Sequence, residues 1–192
     1  MRPLALVLPL LFFASGLTSP VVAGDDLEKM FEELRARHEN GADAPKEFEI
    51  GEEELNAYLQ DPSKSQLPAG IESPWIRFEK SLAIVGATID LDKLEGQIPK
   101  SGILQLLSGQ VPVEIATRVK AGGGVGKLIL ERITLAGVPL PPDFIASLIG
   151  DVDTSQFLPP GFRLGDAFSL PYDLESIRLE PGTALVLQRA NK

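Results

Sequence analysis

The stretch from residue 110 to 150 limits the fold more than any other part of the chain. Val111, Val113, Ile115, Thr117 and Val119 alternate with Pro112, Glu114, Ala116, Arg118 and Lys120, the two-residue period of a half-buried strand. Gly122-Gly123-Gly124 follows and supplies a turn, because glycine reaches positive φ without a steric penalty. A second strand over residues 125–136 ends at Gly137-Val138-Pro139-Leu140-Pro141-Pro142, where proline can no longer donate to a ladder. Residues 143–149 read as a short helix with Phe144, Ile145, Leu148 and Ile149 on its apolar face and Gly150 at its end. So short a connection makes the strand pair antiparallel. Yet Leu128-Ile129-Leu130 is apolar on both faces. A helix, another sheet or an apolar ligand must cover the second face.

The same reading extends along the chain. Asp25 or Asp26 caps a helix running to about His38, with Leu27, Met30, Phe31 and Leu34 as its apolar stripe. Glu47-Phe48-Glu49-Ile50 alternates as a short strand. Residues 52–59 read as a second helix, with three acids in its first turn and Leu55, Tyr58 and Leu59 on one side. Strands are expected over residues 75–80 and 82–94, with Ile76 and Phe78 facing opposite to Trp75 and Arg77. In the second of these, Ile89 and Leu91 would point inward and Asp90 and Asp92 outward. Residues 101–107 read as a short helix. Residues 168–170, 173–180 and 183–188 read as the closing strands, the last two separated by Pro181-Gly182. Leu82-Ala83-Ile84-Val85 and Leu185-Val186-Leu187 are again apolar on both faces. Short, hairpin-like connections between about five or six strands predict an α+β fold with an antiparallel sheet and N-terminal helices, a sheet that the resemblance given below implies is curved.

The first 23 residues read as a secretory leader. Arg2 is its positive start and residues 4–13 are apolar, within the usual length of about 7–15 residues and short of the roughly 20 needed to span a bilayer. Val21-Val22-Ala23 suits cleavage after Ala23. Residues 24–192 are then one domain, exported to a periplasmic or other extracytoplasmic compartment. There is no cysteine, so no disulfide, no lipid attachment through a thiol and no thiol chemistry. The formal net charge is −9, which argues against nucleic acid and against simple electrostatic adhesion to anionic headgroups. Any lipid contact has to be apolar.

Catalytic motifs are missing or incomplete. The single histidine, His38, reads as a solvated residue at a charged helix end. Gly122-Gly123-Gly124-Val125-Gly126-Lys127-Leu128 looks like a phosphate loop, but Ala121 stands where the first glycine is required and Leu128 where Ser or Thr is required. Asp151-Val152-Asp153 opens like a calcium loop, but Gln156 and Phe162 occupy its glycine and glutamate positions. Glu52, Glu53 and Glu54 read as favourable charges at a helix start rather than as an acid–base pair. No catalytic residue, metal or cofactor is assigned. A hydrolase built on Asp90, Asp92, Asp151 and Asp153 is the enzymatic alternative.

Two segments carry a family resemblance. Phe48-Glu49-Ile50-Gly51-Glu52-Glu53-Glu54-Leu55-Asn56-Ala57-Tyr58-Leu59 resembles the strand and E-E-L-N-x-Y-L helix that open the YpmS-like bacterial envelope proteins. Ile133-Thr134-Leu135-Ala136-Gly137-Val138-Pro139-Leu140-Pro141 resembles a strand, glycine and Leu-Pro step found in those proteins and, more loosely, in LmeA-like ones. The resemblance spans about residues 48–187. It implies the TULIP (tubular lipid-binding) superfamily, with a strongly curved antiparallel sheet around a long helix, enclosing an apolar groove for acyl chains.

The resemblance and the two-faced strands meet in one expectation: a non-enzymatic protein that binds a lipid or similar apolar ligand in a groove lined by the sheet. Leu55, Tyr58, Trp75, Phe78, Ile84, Leu128, Leu130, Phe144, Leu185 and Leu187 are the expected lining. The alternative is an envelope scaffold or interaction protein with a closed core, no ligand, and an envelope protein as its partner.

Overall fold

The computed structural model describes residues 25–65, 67, 70–93, 108–141 and 165–191. The leader, the expected helices over residues 101–107 and 143–149 (with Phe144) and the acidic loop at Asp151 and Asp153 lie outside the described residues. The first described elements are α1 (Asp25–Asn40), β1 (Lys46–Gly51) and α2 (Glu52–Gln60). Leu27 and Leu34 of α1 are buried, seven residues or two turns apart on one stripe, with Met30 and Phe31 packed at the edge of the same core. Gly41 follows α1 at φ 80°, the left-handed residue that lets a helix end and the chain turn away. Gly51 offers α2 no side-chain cap. The Glu52 amide instead donates to the Gly182 carbonyl at 2.9 Å, so a tertiary contact satisfies an orphan donor. At the other end, the Ser65 hydroxyl donates to the Leu59 carbonyl at 2.7 Å.

Eight strands follow among the described residues: β2 (Ile71–Glu79), β3 (Leu82–Asp90), β4 (Gln110–Gly122), β5 (Val125–Leu135), the two-residue β6 (Val138–Pro139), β7 (Ala167–Ser169), β8 (Leu174–Glu180) and β9 (Thr183–Gln188). All pairings are antiparallel. The main path runs β1-β9-β8-β4-β3-β2; β5 pairs with β4 and carries β6 and β7. The sheet is strongly curled into a half-barrel against the helices, so the fold is the α+β class expected.

The curl has a local cause. β8 meets β4 at one bridge, Ala121↔Ile177, so two ladders, β2–β3–β4–β5 and β1–β9–β8, join at a corner. The tight turn at Lys80 and Ser81, between β2 and β3, stops the β3–β4 ladder at Leu82↔Arg118 and leaves the last residues of β4 for β8. Backbone bonds fix the corner: the Ser81 amide to the Leu179 carbonyl at 3.0 Å, and the Val119 amide to the Ser81 carbonyl at 2.9 Å. Register shifts in β2, between β4 and β5 and in β8 add twist, as bulges do.

Three boundaries differ from expectation. β2 starts at Ile71 because a bulge between Glu72 and Trp75, with Ser73 at φ 48°, carries the ladder past Pro74. β3 stops at Asp90 rather than continuing to residue 94. There the Asp90 carboxylate accepts the Asp92 amide at 3.2 Å, so Leu91 and Asp92 lie in a turn instead of alternating in a strand. β6 doubles back on β5 through Thr134↔Pro139 and Leu135↔Val138, after the Ala136-Gly137 turn. The glycine run is the β4–β5 hairpin turn, with Gly123 at φ 63° and Gly124 at φ 75°, the doubly left-handed geometry that matches strand twist.

One core fills the corner. Leu27, Phe48, Leu55, Phe78, Leu179 and Val186 are among its members. Gln188 is the polar member, 1% exposed. Its side chain accepts from Arg37 Nε at 2.7 Å and donates to the Leu34 and Tyr172 carbonyls at 3.0 and 2.8 Å, which ties α1 to β9.

Candidate functional site

The register sorts the sheet into an inner and an outer face. Residues directly opposite one another share a face, and alternate residues along a strand do too. Phe78, Ala83, Val119 and Leu128 belong to the core, so they mark the inner face. Moving away from the corner, that face carries four cross-strand rows: Ala83–Thr117–Leu130, Val85–Ile115–Ile133, Ala87–Val113–Leu135 and Ile71–Ile89–Val111. Every member but Thr117 is apolar. Among the described residues the two helices stand elsewhere, α2 against β2 and β1 and α1 against α2. Val85, Ala87, Ile89, Val113, Ile115, Leu130, Ile133 and Leu135 are accordingly half-buried rather than sealed. They form an apolar band on the inner side of the curled sheet.

Nine of the ten residues expected to line a groove occupy four environments. Leu55, Phe78 and Leu128 are in the packed core at 3%, 2% and 3% exposure. Tyr58 lies at its edge, edge-on to Phe31 with ring centroids 6.3 Å apart; burial, and then the charge of Glu28, raise its pKa. Leu130 alone lies in the half-buried inner band. Trp75, Ile84, Leu185 and Leu187 are on the outer face. Phe144 lies outside the described residues. The band itself rests on Val85, Ala87, Ile89, Val113, Ile115, Ile133 and Leu135, none of which is among the residues expected to line a groove.

The outer face shows what covers the second side of the two-faced strands. An added Cβ on Gly86 would lie 2.3 Å from the Trp75 ring, so the indole lies flat across that glycine. The Arg77 guanidinium stands 5.7 Å from the indole centroid. Ile84 and Ala116 lie beside each other in the next row, each 2% exposed. Arg132 pairs with Glu114 at 3.2 Å, and Arg118 pairs with Glu131. On β9, Leu185 and Leu187 are half-buried next to Arg178 and Glu47, which pair across the strand at 3.6 Å. Side chains of the protein itself therefore cover much of the outer face, and the inner band is half-buried.

The ionisable groups sit outside this band. Lys93 bonds Glu72 at 2.7 Å and Asp90 at 3.0 Å. Its hydrogen bond is the main reason the Asp90 carboxyl lies below its ordinary pKa, the opposite direction from the one a proton donor needs. At the C-terminal end of α1, His38 Nδ1 lies 2.6 Å from Asp173 Oδ2, and Asn191 Nδ2 donates to the same oxygen at 2.6 Å. These bonds, that of His38 first, hold Asp173 below its usual value. Among the described residues no cluster of His, Cys, Asp or Glu suits a metal ion, and no helix is long and apolar enough to cross a membrane. A scan against protein-family models finds none that matches this chain, and a search of curated proteins finds no match either.

Proposed function

We propose that this protein binds a lipid or another elongated apolar molecule along the inner face of its curled sheet, without catalysing a reaction. The observation that carries the reading is the inner band: four strand-crossing rows, apolar but for Thr117 and mostly half-buried, on the inner side of the curled sheet and away from the two described helices. Transfer of an acyl chain to such a surface is worth about 0.8 kcal/mol per CH₂ buried. Affinity then follows chain length, and headgroup contacts at the rim set selectivity. Export to an extracytoplasmic compartment and kinship with tubular lipid-binding proteins belong to the same proposal. They are supported by the apolar leader and by the two motif-bearing segments described above.

Uptake of a fluorescent long-chain fatty acid by the purified protein tests this. Ile115→Lys and Ile133→Lys place a charge in the middle of the band and should each weaken uptake about tenfold or more. Leu187→Lys, on the outer face, should leave it unchanged. Equal uptake by all three variants and the parent would refute the proposal.

A second reading has its own support. Leu55, Phe78 and Leu128 are sealed in a solid core, as a closed-core envelope interaction protein requires. It predicts that no apolar probe binds at all.

A further inference from the structure

The two ends of the sheet are finished differently. The free edge of β2 is sealed by α2: Asn56 bonds both the Ile76 amide and the Ile76 carbonyl, at 2.7 and 2.8 Å, and Glu52 Oε2 accepts the Phe78 amide at 2.7 Å. β1, at the other end of the path, has a ladder partner on one side only among the described residues. Its direction of pairing can be worked out. The Glu52 amide donates to the Gly182 carbonyl, one step beyond the ladder that runs from Lys46↔Gln188 to Gly51↔Thr183. Bonding residues alternate in an antiparallel ladder. Ile50, Phe48 and Lys46 therefore turn their backbone groups toward β9, and Glu47, Glu49 and Gly51 turn theirs outward.

A cleft of about 370 Å³ lies at this edge, between β1 and α1. Leu27, Met30 and Phe48 are its apolar lining, and Glu33, Glu47, Glu49 and Glu54 outnumber Lys29 among its charged residues. Lys46 pairs with Glu33 at 2.5 Å and stands over the Phe48 ring. Charged side chains on an edge ordinarily prevent strand addition between copies. Here the two charged residues whose backbone groups face outward, Glu47 and Glu49, are both acidic. A second β1 aligned antiparallel would set Glu47 and Glu49 against carboxylates, a destabilising arrangement. A strand with Lys or Arg at those positions meets opposite charges instead.

We propose that the open edge of β1 takes up an extended, basic segment of a partner protein as an added strand. Backbone bonds come from Glu47, Glu49 and Gly51, and the carboxylates of Glu47 and Glu49 meet the partner's cationic side chains. This site is distinct from the inner band, and its test does not depend on any lipid.

The test uses the whole chain and three capped hexapeptides: alternating Lys-Val, alternating Glu-Val, and alternating Lys-Val N-methylated at every second amide. Fluorescence anisotropy should show binding of the first only. Amide hydrogen exchange at Glu47 and Glu49 should slow only in its presence. Glu47→Gln with Glu49→Gln should weaken that binding about threefold to thirtyfold. Equal binding of the N-methylated peptide would reduce the effect to charge adhesion and overturn the proposal. So would unchanged exchange at Glu47 and Glu49, or no binding of the basic peptide.

Discussion

Asn56 completes the edge of β2 by bonding Ile76 twice: its carboxamide oxygen takes the Ile76 amide at 2.7 Å, and its carboxamide nitrogen reaches the Ile76 carbonyl at 2.8 Å. One side chain on α2 thus does what a neighbouring strand would do. In the sequence Asn56 is a polar residue within a helix. Its role becomes visible only when α2 lies against β2.

Asn56→Ala should therefore lower stability by about 1–3 kcal/mol, because it leaves a partly buried donor and acceptor without partners. Asn56→Asp keeps the acceptor for the Ile76 amide but sets an oxygen against the Ile76 carbonyl, and should also destabilise. Urea denaturation checks both, as a lower midpoint with an unchanged slope. A change within experimental error would contradict the edge-sealing role.

Gly86 and Trp75 make a second coupled pair. An alanine methyl at residue 86 would collide with the indole, and the ring must move for the chain to fold. Gly86→Ala should cost about 1–3 kcal/mol. Trp75→Leu in the same chain should recover part of that loss, a non-additivity that a double-mutant cycle measures. Trp75 is the one tryptophan, so Gly86→Ala should also change its fluorescence. Additive effects with unaltered emission would mean that the ring does not lie over the glycine.

The acid limb of the stability curve should depend on Asp173. Folding holds its carboxyl below the ordinary value, chiefly through the His38 bond. The unfolded chain therefore takes up that proton first as pH falls. The resulting stabilisation is fully present above the unfolded-state pKa of about 3.9, and it is lost as pH falls through the lower native value. Asp173→Asn should be less stable than the parent at pH 6, and the gap should close at strongly acidic pH. Denaturation midpoints measured from pH 6 downward check this; a gap independent of pH would exclude the linkage.

The strands were legible in the sequence where one face is apolar and the other polar, as in Val111–Val119, because burial on one side imposes a two-residue period. Their ends were less so. A bulge at Ser73 carried β2 past Pro74, and Asp90 stopped β3 by bonding its own turn. Sidedness was not legible in Leu82–Val85 or Leu185–Leu187, where both faces are apolar and only register assigns them. Ile84, Leu185 and Leu187 consequently fall on the outer face, while Leu55, Phe78 and Leu128 pack into the core. The inner band is spread over β3, β4 and β5, and only pairing brings Val85, Ile115 and Ile133 into one row.

Native mass spectrometry of the protein, purified without detergent or organic solvent, measures the central claim most directly. The account predicts a non-covalent adduct with the mass of a lipid, released by organic solvent and lost in Ile115→Lys. The bare polypeptide mass alone, with no uptake on incubation with fatty acid, would contradict it.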